Sequence, residues 1–363
     1  MKHLHFIDTN GGFTLDKSEN TSYLYFPLAS ETGLKCSVTP NLGGDASLSQ
    51  NSFILEPVSS ENLHNNRSVR NFWCTVDGTD IYSVAGVSPQ QEADKFSAAQ
   101  DNSTLTAGFM HHTIERISNK FQIASSVTCF TPVKDNVEIM YIVIQNRAER
   151  PRSLSACAAV PIYGRSADNL RDHRHVTSLL HRIDTSENGV LVCPSMSFDE
   201  RGHQENHLIY YVLGCTGAGE VPECYYPTVE DFIGEGGSYT HPRSIYEHLE
   251  GLPPHSHIEG KEAMGAFRFS PITLGPNESA AYIILTGAEN NSTDVQNILQ
   301  KYNTSTKVLT ALAQTKNYWK GKVNVSFHTN SPDFDNFMKW VSFQPFLRRL
   351  FGCSFLPHHD YGR

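Results

Sequence analysis

The strand-forming segments of this chain restrict its fold more than any other feature. Up to about residue 290, segments rich in β-branched and aromatic residues are bounded by Pro, Gly, Asn and Asp. The clearest are KFQIASSVTCFTPV, VEIMYIVIQN, LIYYVLGC and AAYIILTGA. VEIMYIVIQN partly alternates and partly runs apolar, as a strand inside a two-sheet sandwich does. No helical pattern alternates with these strands, which argues against a doubly wound parallel sheet and predicts a mainly β fold, a large antiparallel sandwich over residues 1–290.

The pattern becomes helical after residue 290. STDVQNILQKY places apolar residues on one helical face and offers Ser292 as its cap. STKVLTALAQTKNYWK predicts a second helix that ends at Gly321. Together these segments predict a helical linker over residues 291–321.

Residues 322–363 are predicted to begin a further unit. VNVSFHT resembles a short strand, and SPDFDNFMKWV predicts a helix with Ser331 as cap and Pro332 at its first position. We expect Gln344 and Pro345 to interrupt this helix before FLRRLF. The predicted apolar stripe consists of Phe334, Phe337, Met338 and Val341. Without partner helices such a stripe would form an exposed patch that soluble monomers avoid.

Composition and charge exclude several classes of protein. The net charge of -9 and pI near 6.0 argue against a nucleic-acid-binding protein. The N-terminus lacks a signal-peptide pattern, and no apolar run reaches the roughly eighteen residues of a membrane span. The 8 cysteines form no C-x-x-C pair, so we expect reduced thiols and a cytoplasmic location. His255 and His257 have the spacing of ligands on a strand but lack a clear third ligand, so no metal site is predicted.

Four stretches carry a resemblance to a known family. They are YFPLASETGLKCSVTPNLGGDASLSQNSFILEPVSSENLHNNRSVRNFW; PIYGRSADNLRDHRHVTSLLHR; FDERGHQENHLIYYVLG with PTVEDFIGEGG; and the terminal HHDYGR. Together they resemble the N-terminal part of the glycoside phosphorylases of glycoside hydrolase family ninety-four. The second stretch is similar to the branch that phosphorolyses β-1,2-linked oligoglucans.

The resemblance implies a specific domain architecture. Members of the family consist of a β super-sandwich, a helical linker, an (α/α)6 barrel and a small C-terminal β-domain. The pattern read from the residues matches the first two parts and the first helix of the barrel. In the family, a segment like HHDYGR continues into a Gly- and Arg-rich motif, so we expect this chain to be a truncated part of a larger enzyme.

The resemblance also implies an activity. Phosphate attacks the sugar with inversion while a general acid protonates the leaving oxygen, so one carboxylic acid is sufficient. In the family this acid lies in the barrel, and we assign no catalytic residue to this chain. The implied partners are a β-glucan oligosaccharide, inorganic phosphate as co-substrate, and a second copy bound through the sandwich; no other cofactor is implied. The alternative is a standalone carbohydrate-binding sandwich without catalysis.

The second stretch concentrates charged candidates for substrate binding. They are Arg165, Asp168, Arg171 and His173. Arginine suits bidentate contacts with oxyanions, so this loop could contact sugar or phosphate. The alternative is a network of ion pairs that docks the sandwich against a barrel.

Two further groups of candidates remain. Arg70 precedes Phe72 and Trp73, and a basic residue beside aromatic rings is typical of the edge of a sugar pocket. The alternative is that both rings belong to the core of a strand. The terminal motif contributes three residues that match a sugar-pocket motif of the family: His358, Asp360 and Arg363.

Overall fold

The computed structural model describes residues 4–18, 24–58, 70–170, 174–199 and 202–352. In that part of the chain, strands are numbered β1–β23 and helices α1–α7 in chain order. None of the described helices is long and apolar enough to cross a membrane.

The largest sheet has eleven strands within the described ranges. In spatial order they are β1 (Leu4–Phe6), β2 (Phe13–Asp16), β9 (Asn102–Gly108), β10 (His111–Ser118), β11 (Ile123–Phe130), β12 (Val137–Asn146), β23 (Ser279–Glu289), β18 (Ile209–Thr216), β15 (Gly189–Val192), β14 (Arg182–Ser186) and β20 (His257–Glu259). All of its neighbouring strands are antiparallel.

A second sheet faces the first, and two small sheets complete the sandwich. The second sheet contains β19 (Cys224–Thr228), β21 (Ala263–Arg268), β13 (Arg152–Ile162), β7 (Asn71–Val76) and β8 (Asp80–Ser83), with β22 (Ile272–Leu274) beside β13. The small sheets are β3 (Phe26–Ala29), β4 (Lys35–Val38), β5 (Ala46–Ser49) and β6 (Ser52–Phe53), and the hairpin of β16 (Met196–Asp199) and β17 (Gly202–Glu205).

The main hydrophobic core lies between the two large sheets. Each sheet contributes alternate side chains from its inner face, as antiparallel sandwiches do. Representative core residues are Leu105, Ile142 and Ile284 from the larger sheet and Cys74, Ala158 and Phe267 from the smaller one. The predicted mainly β, antiparallel sandwich is therefore confirmed.

Helices cover the outer faces of this sandwich. Their bounds are α1 (Pro89–Ala93), α2 (Arg174–Ser178), α3 (Val229–Ile233), α4 (Arg243–Tyr246), α5 (Ser292–Tyr302), α6 (Ser305–Lys322) and α7 (Pro332–Phe351). Val295 of α5 and Val308 of α6 join Ile139 of β12 in a second core on the outside of the larger sheet. The first half of β12 is thus covered on both sides, which explains why VEIMYIVIQN runs apolar before it alternates.

Helix α7 docks on the sandwich through a face that the sequence pattern did not predict. Asn336 accepts a hydrogen bond from the Gly11 amide at 2.9 Å, and the Trp340 indole donates to the Gly11 carbonyl at 2.7 Å. Phe343 and Leu347 are buried against a small core that also contains Phe109 and Trp319. The helix therefore has a well-packed inner side.

The predicted apolar stripe of α7 is wrong in its orientation. Phe334, Phe337 and Val341 are exposed by 49%, 57% and 43%, and Met338 is half-buried. These residues lie on the side of the helix away from the sandwich. No described residue covers this apolar surface, here called the outer face of α7, which consists of Phe334, Phe337 and Val341.

Three local predictions need correction. VNVSFHT forms no strand, because residues 323–329 connect α6 to α7 without sheet partners. Pro345 does not interrupt α7, which continues to Phe351. The cap of α5 is Asn291 rather than Ser292, since the Asn291 side chain accepts the Asp294 amide at 2.9 Å. Ser331 caps α7 as predicted, with Pro332 in its first turn. The domain boundaries at residues 290 and 321 stay predictions.

Candidate functional site

Three of the four stretches that carry the family resemblance meet at one end of the sandwich. The main chains of Phe53, from the first stretch, and Arg165, from the second, exchange hydrogen bonds at 2.8 and 3.3 Å. Gly164 adopts a φ of +62° and lies against Tyr210, from the third stretch. The amide of Val229, also from the third, donates to the Glu262 carbonyl at 2.9 Å. Separate parts of the sequence thus form one loop cluster.

The centre of this cluster is an ion pair between a buried arginine and a partly exposed glutamate. Arg165 is 2% exposed, and its guanidinium donates to both carboxylate oxygens of Glu262, at 2.8 and 3.3 Å. Its Nε donates to Nε2 of His181 at 3.3 Å, and its Cζ lies 5.1 Å from the ring centroid of Tyr163. We call these four residues the Arg165 cluster. The fork of guanidinium donors suits a bidentate carboxylate, which offsets the cost of burying the charge.

His181 completes the cluster as a neutral imidazole. Burial, and then the positive charge of Arg165, lower the pKa of His181 to about 3. Because Nε2 accepts from Arg165, the ring proton lies on Nδ1. The imidazole is therefore a fixed acceptor near neutral pH rather than a proton-transfer group.

Asp168 lies beside the Arg165 cluster in a 3-10 turn, Ala167–Leu170. Its amide donates to the Ser166 hydroxyl at 3.3 Å, and its side chain is half-buried. Asn169 is 3% exposed, and its Oδ1 has no hydrogen-bond partner among the described residues. The predicted candidates Arg171 and His173 lie outside the described residues. The Asp168 side chain is thus partly accessible to solvent and lies next to the buried Arg165 cluster.

Arg70 lies in the interior rather than at a pocket edge. It is 1% exposed, its Nε lies 2.6 Å from one carboxylate oxygen of Glu138, and its Nη2 donates to the other at 2.7 Å. The same guanidinium donates to the Asp45 carbonyl at 2.9 Å. Phe72 and Trp73 belong to β7 and are 0% and 1% exposed, so both rings are strand core. In this structure the donors of Arg70 are bound within the protein.

The remaining candidates give no site in this structure. His358, Asp360 and Arg363 lie outside the described residues. His257 pairs with Asp184 at 2.7 Å, and this hydrogen bond raises its pKa. No group of His, Cys, Asp or Glu side chains within the described ranges is arranged to hold a metal ion.

Sequence reasoning missed Glu262, the partner of Arg165. Glu262 is 97 residues away along the chain, just before β21. The only available signal was general, because an arginine in a buried loop requires an acidic partner from some other segment.

A large antiparallel sandwich with helices packed on its outer faces defines this chain as a β super-sandwich protein. The chain belongs to glycosyl hydrolase family 94, since the model of that family's supersandwich domain matches residues 82–305. No curated protein sequence matches this chain significantly.

One solved structure shares the fold at low sequence identity, and another resembles part of it less closely. A bacterial glucoamylase complexed with acarbose is 9% identical, with a TM-score of 0.51 over 89% of this chain and 42% of that chain. The chain thus spans less than half the length of that glucoamylase. A putative aldose 1-epimerase from Escherichia coli K12 is 11% identical, with a TM-score of 0.33 over 73% of this chain and 99% of that one.

Proposed function

We propose that this chain is the N-terminal part of an inverting glycoside phosphorylase. The whole enzyme would convert β-1,2-linked glucan oligosaccharides and inorganic phosphate to α-glucose 1-phosphate and a shortened glucan. The observation that carries the proposal is the family match over residues 82–305. The outer face of α7 supports it, because exposed Phe334, Phe337 and Val341 require a covering that the described residues do not supply.

In this proposal the bond-breaking chemistry belongs to a barrel outside the chain. A phosphate oxygen attacks the anomeric carbon, the glycosidic C–O bond breaks, and a general acid gives its proton to the leaving oxygen. The sandwich contributes the edge of the sugar or phosphate site. Asp168, Arg171 and His173 are the proposed contacts, and the Arg165 cluster fixes the chain just before Asp168.

Arg165 itself is proposed to act by positioning. Its guanidinium donates to Glu262 and His181 within the protein. Its proposed effect on a ligand is therefore indirect, through the chain that it fixes next to Asp168. The role proposed for His358, Asp360 and Arg363 depends on the sugar-pocket motif that they resemble. Inorganic phosphate is the proposed co-substrate, and a second copy of the sandwich is the proposed partner.

The test is the reverse reaction of the longest protein that contains this chain. α-Glucose 1-phosphate and sophorose are supplied, and phosphate release is measured. Release with sophorose supports the proposal, whereas release only with a 1,4-linked acceptor would contradict the β-1,2 linkage. No phosphate release with any glucosyl acceptor would contradict phosphorolysis itself. The 363-residue chain alone is expected to be inactive, because the proposal places the general acid in the barrel outside it.

The second candidate is a standalone carbohydrate-binding sandwich. It is favoured by the complete core between the two sheets, which does not depend on other chains. The two candidates differ at the outer face of α7. If the chain is a standalone module, replacing Phe334, Phe337 and Val341 by Ser should leave its carbohydrate binding unchanged. If it is part of a phosphorylase, the same replacement should abolish its association with a separately expressed barrel.

A further inference from the structure

A polar pocket lies on the outer surface of the sandwich, and none of its lining residues belongs to the Arg165 cluster. Its volume is about 490 Å³. It is bounded by the loop at Thr32, the turn between β11 and β12, the end of β23 and the exposed side of α5. Its lining includes carboxylates, amides, a hydroxyl and two lysines, so it offers both donors and acceptors.

Some of these groups already have partners within the protein. Asp135 accepts from the Lys301 ammonium at 2.7 Å and from the Tyr302 hydroxyl at 2.5 Å. The amide oxygen of Asn136 accepts from the Thr32 hydroxyl at 2.8 Å. These bonds fix one wall of the pocket before a ligand arrives, which lowers the cost of ordering on binding.

Glu289 is different, because its carboxylate has no hydrogen bond or ion pair among the described residues. It is half-buried at the end of β23 and lines the pocket. Burial, and then the charges of Asp294 and Asp135, raise the pKa of Glu289. The Glu289 carboxylate is therefore open to solvent and can accept hydrogen bonds from a ligand that carries donors.

A second polar group lies near the same pocket. Tyr211 is fully buried, and its hydroxyl finds no partner within the described ranges. A Cβ placed on Gly287 would lie 2.4 Å from that hydroxyl and 2.5 Å from the carbonyl oxygen of Asn136, a pocket residue. The Tyr211 hydroxyl and the Asn136 carbonyl thus both lie close to Gly287, beside the turn between β11 and β12.

The charges restrict the class of ligand. An anion would meet the carboxylates of Glu289, Asp294 and Asp135, while Lys301 is already paired with Asp135. The described side chains are not arranged to hold a metal ion. A neutral polyol fits better, since each hydroxyl can donate to a carboxylate and accept from Asn297 or Lys134.

We propose that this pocket binds a neutral oligosaccharide. The chain belongs to a glycosyl hydrolase family, and the lining of the pocket can donate hydrogen bonds to sugar hydroxyls and accept hydrogen bonds from them. The ligand donates hydroxyl hydrogen bonds to Glu289 and Asp294 and accepts from Asn297. The site requires no catalysis, so it holds whether or not the chain belongs to a phosphorylase.

The experiment titrates the purified 363-residue chain with sophorose by calorimetry and by ligand-observed NMR. Glu289→Gln removes the charge but keeps the shape, and Asn297→Ala removes an exposed amide without touching the core. Glu115→Gln is the matched control, since Glu115 is exposed on β10 outside the pocket. Asp168→Asn is a second comparison, because weaker binding in this variant would place the sugar at the loop cluster rather than in the pocket. Spermidine and inorganic phosphate are the cationic and anionic probes.

We expect millimolar binding of sophorose that weakens about tenfold in Glu289→Gln and less in Asn297→Ala, with Glu115→Gln unchanged. Binding that responds to Asp168→Asn but to neither pocket variant would overturn the proposal. Spermidine binding without sophorose binding would also overturn it and would assign the pocket to cations. If Glu289→Gln lowers the melting temperature, Asn297→Ala decides, because that side chain is exposed on α5.

Discussion

Arg70 and Arg165 are almost equally buried, yet they do different things. Arg70 lies between sheets and binds Glu138, whose strand β12 crosses the middle of the larger sheet. Arg165 lies in a loop at one end and binds Glu262. From the sequence alone, both arginines were candidates for contact with a ligand. An arginine side chain can bind a carboxylate of the protein as well as a ligand, and the sequence does not show which segment supplies that carboxylate.

Replacing Arg70 by Met should lower the free energy of unfolding by about 3–5 kcal/mol. The physical reason is that Glu138 would remain buried as a carboxylate without its cation. Urea denaturation measures the change. Arg150→Met is the control, since Arg150 forms an ion pair with Asp77 while its side chain is 67% exposed. The control should cost less than about 1 kcal/mol, and equal losses in the two variants would contradict a structural role for Arg70.

Asp45 makes stability depend on pH. Its carboxyl group is fully buried and accepts the Val58 amide at 3.1 Å. Burial raises the pKa of Asp45 to about 7, even though the nearby Arg70 charge acts in the opposite direction. Because the folded state holds this proton more tightly than the unfolded chain, the contribution is complete below the ordinary carboxyl pKa and is lost as the pH rises through about 7.

Asp45→Asn should therefore gain stability relative to the unsubstituted chain as the pH rises from 5 to 8. The expected relative gain is about 2–4 kcal/mol, since one pKa unit corresponds to about 1.4 kcal/mol. Chemical denaturation at both pH values gives the difference. Asp16→Asn, at an exposed position, should follow the pH curve of the unsubstituted chain. A difference between Asp45→Asn and the unsubstituted chain that does not vary with pH would rule out this titration.

At the scale of elements, α7 shows what a sequence pattern can and cannot specify. Ser331 and Pro332 correctly marked its start, because capping is a local interaction. Gln344 and Pro345 were expected to interrupt it before FLRRLF. The hydrogen bond that Pro345 cannot donate would go to the carbonyl of Val341, on the exposed side of the helix. Phe343 and Leu347, on either side of the proline, are both buried. Packing against the sandwich outweighs the local cost.

The same contrast explains the orientation of the helix. Phe334, Phe337 and Val341 form an apolar stripe as good as the one that docks, so periodicity alone cannot choose between them. The choice depends on Asn336 and Trp340, which hydrogen-bond to the loop at Gly11. Those partners lie more than 300 residues away in sequence. The strand pattern of the sandwich was readable because each strand repeats the same local alternation many times.

Two phenylalanines of α7 provide a matched pair for testing this orientation. Phe343→Ala should lower the free energy of unfolding by about 3–5 kcal/mol, because the side chain is fully buried beside Phe109 and Trp319. Phe337→Ala should change it by less than about 0.5 kcal/mol, since that ring is 57% exposed. Urea denaturation compares them. The reverse ranking would mean that α7 docks through its other face.

At the scale of the whole molecule, α7 connects the two ends of the described chain. Its Arg349 binds both carboxylate oxygens of Glu31 at 2.7 Å, and its Trp340 reaches the loop at Gly11. Contacts between α7 and the sandwich therefore cross the predicted boundary at residue 321. One side of α7 packs on the sandwich, and the other side is exposed among the described residues.

Deleting residues 331–363 should consequently make the protein less soluble rather than more. Deletion exposes Phe109 and Trp319, which are 5% and 0% exposed in the intact chain. We expect stronger binding of a hydrophobic dye and more light scattering. Replacing Phe334 and Phe337 by Ser should have the opposite effect, because it removes apolar surface without opening the interface below. If deletion improves solubility as much as the substitutions do, α7 is not part of the sandwich core, and the boundary at residue 321 separates two independent units.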